Sequence, residues 1–180
     1  MGPAHDSRFA QISHSLGIPP DYAEVRRLPV QREAKRLVAI GRNPGGRRLK
    51  LTPRAAAAWR RMQAAAARDG ITLRPISAFR SIARQTQIIR RKLAAGEKIG
   101  RILRVNAAPG CSEHHTGRAL DLGAPGHLEL ETSFARTAAF RWLQHHAARF
   151  GFRLSYPRRN PHGIGYEPWH WCWHGPAHRD

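Results

Sequence analysis

The strongest hydrophobic and polar pattern in the chain predicts a helix over residues 55–68. Thr52 offers an N-cap, Pro53 suits the first helical position, and the alanine-rich stretch that follows stops at Gly70. Residues 71–76 then alternate between apolar and polar side chains, which predicts a short strand. A helix followed at once by a strand favours a mixed architecture.

Three more helical segments and two more strands are predicted further along. Ser81 can cap a helix that runs to Gly96, with an uneven apolar stripe, and a shorter helical segment is predicted around residues 99–103. Residues 132–150 show helical spacing of apolar side chains and stop at Gly151. Strands are predicted over residues 118–122 and 152–154.

Helices and short strands are therefore interspersed, and no G-x-G-x-x-G motif follows a strand. We predict a single α+β domain with a small antiparallel sheet flanked by about three helices. Residues 1–50 contain the turn signals Gly17-Ile18-Pro19-Pro20 and Asn43-Pro44-Gly45-Gly46. This stretch is predicted to be an irregular N-terminal arm, wrapping or extended, in front of a domain over residues 51–180.

Composition adds limits to this picture. With 180 residues, of which 41% are hydrophobic, the chain can build one core without disulfides. No run approaches the roughly 18 apolar residues of a membrane span, and Asp6, Arg8 and His14 interrupt the apolar core that a signal peptide needs. The two cysteines, Cys111 and Cys172, are expected to be free and structural, with a disulfide or extra metal ligands as alternatives.

The charge is strongly positive, with 31 Lys and Arg against 12 Asp and Glu, giving a formal net charge of +19. Such a surface favours an anionic polymer as a partner, although a general bias toward arginine and alanine would produce the same charge without any partner. No zinc finger, helix-turn-helix or aromatic RNA-binding signature accompanies it. A specific nucleic-acid partner is therefore not expected.

Candidate chemistry is concentrated in the segment Ser112-Glu113-His114-His115-Thr116-Gly117-Arg118-Ala119-Leu120-Asp121. On a strand over residues 118–122, Ala119 and Asp121 share one face with Gly117, and His114 in the preceding loop can fold back over that face. The small residues leave room for a metal ion and a substrate. The segment thus predicts two of the ligands of a metal site.

A third ligand is available in Glu167-Pro168-Trp169-His170. Two histidines and one carboxylate leave a zinc ion an open position for water, and a carboxylate that is not a ligand can take a proton from that water. Glu167 is the candidate for this base. Because a regular strand would point Glu167 and His170 to opposite faces, a bulge or turn at Pro168 is required.

These two segments match the patterns S-x-H-x-x-G-x-A-x-D and E-x-W-H, and the chain resembles the VanY-like D-alanyl-D-alanine carboxypeptidases, a family of zinc metallopeptidases. Ser77-Ala-Phe-Arg-Ser81 also resembles the substrate-binding turn of that family and is followed by Gln85. The resemblance covers residues 51–173. Residues 1–50 have no recognisable counterpart.

The resemblance implies that His114, Asp121 and His170 hold one zinc ion and that Glu167 is the catalytic base. It implies that Arg80 binds or polarises the substrate. Hydrogen bonds to the peptide are expected from Ser112 and Gln85, and Trp169 is expected to line the pocket.

The activity implied is hydrolysis of a bond next to a D-amino acid in peptidoglycan stem peptides, as a D-Ala-D-Ala carboxypeptidase. Alternatives within the family are an L-Ala-D-Glu endopeptidase and a D-Ala-D-Ala dipeptidase. A non-catalytic zinc-containing module that binds the cell wall is a further alternative. A non-haem iron oxygenase, which also uses two histidines and a carboxylate, has no use for Glu167.

Cell-wall chemistry raises the question of location. With no visible signal peptide the chain is expected to be cytoplasmic as encoded, and to act at the cell envelope if it is exported or released. It is expected to be a monomer.

Overall fold

The computed structural model of the chain describes residues 3–127 and 129–175, with side chains from Phe9 onward. The helices are α1 Pro3–Ser15, α2 Tyr22–Val25, α3 Pro53–Arg68, α4 Ile82–Ala94, α5 Ile99–Ile102 and α6 Ala138–His146. The strands are β1 Val38–Arg42, β2 Arg48–Leu51, β3 Arg74–Ser77, β4 Ala119–Gly123, β5 Phe152–Leu154 and β6 His170–Trp173. Helices and strands are interspersed, which confirms the predicted α+β class.

The strands form two antiparallel sheets. One is the β1–β2 hairpin, and the other has four strands in the order β3-β4-β6-β5. β4 lies between β3 and β6 in the larger sheet, and all five of its residues are buried. Asp121 is paired with Ser77 on one side and with His170 on the other. This register places the candidate ligands of two strands next to each other.

Helix α3 forms much of the main core. Its buried face includes Trp59 and Met62, and these pack in one cluster with Leu120 and Leu122 of β4. Leu120 and Leu122 therefore point to the core, and Asp121 points to the opposite face, as the alternation of a strand requires. The helix begins at the predicted proline and ends within two residues of the predicted Gly70.

Residues 132–150 do not form the continuous helix that their spacing predicts. A 3-10 turn at Thr132–Arg136 is followed by α6 and by a second 3-10 turn at Ala147–Phe150. The interruption falls at Thr137, whose backbone is extended with ψ 156° and whose hydroxyl accepts a hydrogen bond from the Phe140 amide at 3.1 Å. An N-cap inside the segment starts a new helix there.

The N-terminal arm is not irregular, and this part of the prediction is wrong. It contains α1, α2 and the β1–β2 hairpin. Leu16, Ile18 and Tyr22 are buried in a second cluster with Ile89 and Ile102, because the arm has enough apolar side chains to pack against α4 and α5. The turn signal at residues 43–46 closes the hairpin, where Asn43 accepts a hydrogen bond from the Arg47 amide. The boundary at residue 50 stays a prediction.

The arm also crosses the rest of the protein. The Ala34 amide donates to the His115 carbonyl at 2.8 Å, and the Gln31 amide donates to the Gly110 carbonyl at 2.6 Å. The Arg26 guanidinium donates to the carbonyls of His162 and Gly163. The arm is therefore tied both to the turn that carries His114 and to the loop that leads to Glu167.

Two of the predictions from composition can be compared with the structure. Cys111 and Cys172 are both free and buried, as expected. Among the described residues, no helix is both long enough and apolar enough to cross a membrane.

Candidate active site

Three side chains from neighbouring elements converge on one point. Asp121 comes from β4, His170 from β6, and His114 from the 3-10 turn Glu113–Thr116. His114 Nε2 lies 3.2 Å from one oxygen of Asp121, and His170 Nδ1 lies 3.2 Å from the other. Donor atoms of all three lie within 4.8 Å of one another, and all three side chains are buried. The sequence prediction that these residues meet is confirmed.

Hydrogen bonds orient the rings of the two histidines. His114 Nδ1 lies 2.7 Å from the Ala78 carbonyl and donates to it, which leaves the Nε2 lone pair free. His170 Nε2 lies 2.9 Å from a Glu113 oxygen and donates to it, and His170 Nδ1 lies 3.2 Å from Asp121. A cation that displaces the Nδ1 proton would meet this nitrogen, His114 Nε2 and the Asp121 carboxylate together.

This arrangement brings the two imidazoles and the carboxylate close together, and a cation between them would stabilise the cluster. Two imidazole nitrogens and one carboxylate oxygen are the donor set that suits zinc with an open position. The Glu113 carboxylate behind His170 is the kind of partner that orients a metal-bound imidazole. The residues present therefore fit a single zinc ion.

The pKa shifts of the three residues also favour a cation at this site. Burial would raise the pKa of Asp121, but His114 and His170 hold that pKa well below its usual range. Burial lowers the pKa of His114. Burial would also lower the pKa of His170, but Asp121 and Glu113 raise that pKa to about 10. The site stabilises positive charge, and a divalent cation can supply that charge in competition with a proton.

Glu167 reaches the same site through a tight turn. The His170 amide donates to the Glu167 carbonyl at 3.0 Å, with Pro168 and Trp169 in the turn between them. A Glu167 oxygen consequently lies 3.7 Å from His170 Nδ1. The backbone irregularity predicted at Pro168 is confirmed. Burial raises the pKa of Glu167 to about 7 against the opposing effect of His170, so this carboxyl group can exchange a proton near neutral pH.

Arg80 lies in the loop after β3 and is held there by contacts of its backbone with the histidine pair. Its amide donates to the His114 carbonyl at 3.1 Å, and its carbonyl accepts from His115 Nδ1 at 2.6 Å. His115 is thus a structural residue that positions Arg80. Burial lowers the pKa of Arg80, against the opposing effects of Asp121 and Glu167. Its Nε is buried without a hydrogen-bond partner among the residues that the structure describes, which leaves a donor for a ligand.

These groups surround one cavity of about 270 Å³. It is lined by seven of the eight predicted site residues: Arg80, Ser112, His114, Asp121, Glu167, Trp169 and His170. Gln85 does not line it. The Gln85 side chain is fully buried and donates to the Ala107 carbonyl at 2.7 Å, so it supports the cavity wall from behind.

Sequence reasoning missed several residues of the site. Glu113, beside His114 in the sequence, accepts hydrogen bonds from His170 and, at 2.6 Å, from the Ser155 hydroxyl. Its position next to His114, a candidate metal ligand, was a signal for such a role. The Tyr156 ring lies 4.9 Å from the His170 ring, and Lys92 also lines the cavity. Nothing in the sequence patterns singled out Tyr156 or Lys92.

A small antiparallel sheet with a buried His-Asp-His cluster, a nearby carboxyl group and a buried arginine defines the class of α+β metallopeptidases. The sequence profile of the VanY D-alanyl-D-alanine carboxypeptidases matches residues 48–176. The chain belongs to the VanY family.

Individual relatives agree with this assignment. YodJ of Bacillus subtilis (strain 168) is 37% identical over 121 residues, covering 64% of this chain and 43% of YodJ. The LD-carboxypeptidase LdcB has a solved structure with a TM-score of 0.74 and 29% identity, over 83% of this chain and 72% of that chain. A variant of the vancomycin-resistance D,D-pentapeptidase VanY, solved in complex with Zn(II), gives a TM-score of 0.63 and 26% identity over 82% of this chain and 83% of that chain.

The curated relatives are longer proteins. The chain spans 43% of the length of YodJ, and the same share of a D-alanyl-D-alanine carboxypeptidase of Enterococcus faecalis (strain ATCC 700802 / V583), to which it is 31% identical over 121 residues.

Proposed function

We propose that this chain is a zinc-dependent D,D-carboxypeptidase that removes the terminal D-alanine from peptidoglycan stem peptides. The observation that carries the proposal is the convergence of the His114, Asp121 and His170 cluster with Glu167 and Arg80 on one cavity. Membership of the VanY family supports the choice of substrate. The solved complexes of relatives with Zn(II) and with D-Ala-D-Ala support the metal and the peptide.

The three ligands would be His114 through Nε2, His170 through Nδ1 and Asp121 through its carboxylate. Bound zinc supplies a water whose pKa is lowered to about 7 and polarises a carbonyl oxygen. The Ala78 carbonyl and Glu113 keep the two imidazole rings in the tautomers that expose these nitrogens. The protein thereby orients the ligands before a metal ion arrives.

Glu167 performs the proton transfer in this proposal. Its carboxyl group lies close to the ligand cluster without belonging to it, and its raised pKa suits a group that accepts a proton from water and returns it to the leaving amine. The turn at Pro168 holds it in place. No other carboxyl group lining the cavity is free for this task in the described part of the chain, because Asp121 is a ligand.

Arg80 and Lys92 give the cavity positive charge for an anionic substrate end. The buried guanidinium of Arg80 can donate to the developing oxyanion or to the terminal carboxylate of D-alanine. Lys92 lines the same cavity and adds to the attraction for a carboxylate. Ser112 can hydrogen-bond the peptide backbone, and Trp169 presents an apolar wall. We expect the peptide to bind with its carboxylate end toward these cations.

A second candidate is an LD-carboxypeptidase, which would act on a stem tetrapeptide. The structure of LdcB supports it, since its TM-score of 0.74 exceeds the 0.63 of the VanY structure. The dipeptidase and endopeptidase activities remain further options within the family. A non-catalytic cell-wall module is disfavoured by the intact Glu167 and Arg80, and an iron oxygenase by the family match.

Incubation with stem peptides tests the proposal directly. Purified zinc-loaded protein is mixed separately with a pentapeptide ending in D-Ala-D-Ala and with the corresponding tetrapeptide, and the products are weighed by mass spectrometry. Loss of one alanine from the pentapeptide supports the D,D-carboxypeptidase. Loss of alanine from the tetrapeptide alone identifies the LD-carboxypeptidase. Cleavage of free D-Ala-D-Ala, offered in a third reaction, identifies a dipeptidase. No cleavage of either peptide would contradict both carboxypeptidase candidates.

The location and partners are proposed on the same basis. A peptidoglycan substrate places the site of action at the cell envelope, and the net charge of +19 would hold the monomeric protein on an anionic cell-wall polymer. Binding to purified cell walls should weaken as salt rises, because screening shortens the range of surface charges. Binding that is independent of salt would contradict a role for this charge.

A further inference from the structure

We infer that the chain has a second metal site, formed by Glu113, Cys172 and His174, next to the His-Asp-His cluster. Donor atoms of these three residues lie within 4.8 Å of one another. A carboxylate, a thiolate and an imidazole are ligands that zinc and similar divalent transition metals prefer. This site does not depend on the proposed peptidase activity.

The geometry follows from the alternation of β6. Successive side chains of a strand point to opposite faces, so His170 and Cys172 share one face. Just past the strand, the His174 amide donates to the Gly151 carbonyl at 2.9 Å. A ring nitrogen of His174 thereby lies within 4.8 Å of the Cys172 sulfur. The residue paired with Cys172 on β4 is Ala119, whose small side chain leaves space over this face.

Glu113 joins the two sites. Among the described residues, the hydrogen bonds that its carboxylate accepts from His170 and Ser155 both fall on Oε2. The Cys172 thiol is a further hydrogen-bond partner of this carboxylate, so a cation bound here would take the place of the thiol proton. One oxygen can orient His170 for the first metal ion while the other binds a second ion, so the two sites can be occupied together.

The surroundings decide which cation fits. Cys172 is buried, whereas His174 is exposed and lines a cavity of about 230 Å³ together with Glu113, which gives an ion access from solvent. Arg153 lines the same cavity and opposes a cation. Binding then requires the negative charge of both Glu113 and a Cys172 thiolate, with the thiol proton released to solvent. A thiolate selects zinc-like ions over calcium or magnesium.

Cobalt provides a probe that separates the two sites. The full chain, loaded with one equivalent of Zn²⁺, is titrated with Co²⁺, which binds such ligands more weakly than Zn²⁺ and so leaves the first site occupied. A thiolate-to-cobalt charge-transfer band in the near ultraviolet should grow and saturate at one equivalent of Co²⁺. The first site contains no cysteine, so it cannot produce this band. Metal analysis after gel filtration should then find one zinc and one cobalt per chain.

Variants identify the ligands. Cys172→Ser and His174→Ala should each lose the bound cobalt and the band while keeping the first equivalent of zinc, whereas Cys111→Ser, which removes the other thiol, should keep both. The exposed His174→Ala variant does not disturb the core, and circular dichroism checks the fold of all three. Absence of a thiolate band in the parent protein, or a band that persists in Cys172→Ser, would overturn the second site.

Discussion

The amide of His170 donates a hydrogen bond to the carbonyl of Glu167 at 3.0 Å, and this contact brings a candidate metal ligand and the proposed catalytic base to the same cavity. Three residues apart on a straight strand, the two side chains would point to opposite faces. The turn through Pro168 and Trp169 instead brings both side chains to the same side. The role proposed for Glu167 depends on this local geometry.

Replacement of Glu167 by glutamine should separate catalysis from metal binding. The amide keeps the size of the side chain but cannot accept a proton, so kcat on the D-Ala-D-Ala pentapeptide should fall by about 10²–10⁴-fold. Zinc content should stay at the parental level, because Glu167 is not a ligand. Zinc content is measured by atomic absorption beside the kinetics. Loss of zinc from the variant would mean that Glu167 is a ligand instead.

Replacement of Arg80 by lysine should lower kcat/KM despite the conserved charge. Lysine lacks the planar fork, and loss of one oxyanion donor costs about 10²–10³-fold in rate. Arg84→Lys is a matched control, since Arg84 is exposed on α4. Steady-state kinetics on the same peptide compares the two variants. Equal activity of Arg80→Lys and the parent protein would remove Arg80 from the mechanism.

Replacement of Glu113 by alanine should weaken zinc binding at the first site. His170 would lose the acceptor for its Nε2 hydrogen, and loss of such a partner costs about 10–100-fold in metal affinity. Ser155→Ala should have a smaller effect because the Ser155 hydroxyl bonds Glu113 and not the His170 ring. Glu24→Ala, at an exposed carboxylate on α2, is the control. Competition with a zinc indicator gives the affinities, and an unchanged affinity in Glu113→Ala would contradict its role.

Removal of zinc should abolish turnover and lower the thermal stability of the protein. A ligand that binds the folded state raises the free energy of unfolding, so adding Zn²⁺ to chelator-treated protein should raise Tm. His114→Ala should lack this first, tight response. Differential scanning calorimetry measures the shift. A Tm that does not respond to zinc in the parent protein would argue against the His-Asp-His site.

Replacement of Gly117 by alanine should destabilise the fold. Gly117 has φ 63°, a left-handed conformation that costs other residues about 1–2 kcal/mol. An added Cβ would also lie 2.8 Å from Leu37 Cδ2 of the arm. Gly100→Ala is the control, since it lies in α5 with no atom within 4 Å of an added Cβ. Urea unfolding should show a loss above about 1 kcal/mol for Gly117→Ala only.

Local patterns were enough to predict the elements that hold the site. Three local features had a direct physical interpretation. They are the alternation of side chains around Asp121, the small residues beside it and the proline after Glu167. These patterns singled out His114, Asp121, His170 and Glu167, and the family resemblance added Arg80, Ser112 and Trp169, all of which line one cavity. Gln85 differs because the face of α4 that it occupies is set by packing against Ala107, a contact between segments that the helical pattern does not encode.

The arm could not be predicted in the same way. Its apolar residues are sparse, and they are buried only because α4 and α5 offer a surface for Leu16, Ile18 and Tyr22. Tyr156 joins the site through a similar long-range contact with His170. Glu113 differs from these residues, because its position beside His114 was visible in the sequence. What the sequence did not indicate is that Glu113 would accept a hydrogen bond from His170.

The hydrogen bonds from Arg26 to the loop before Glu167 join residues about 136 positions apart. Contacts of such separation close a long loop, whereas α3 and the hairpin rest on local contacts, so we expect these elements to form before Arg26 reaches residues 162 and 163. The turn that holds Glu167 has backbone contacts of its own with Tyr156 and His170, and the arm adds hydrogen bonds to the loop in front of it.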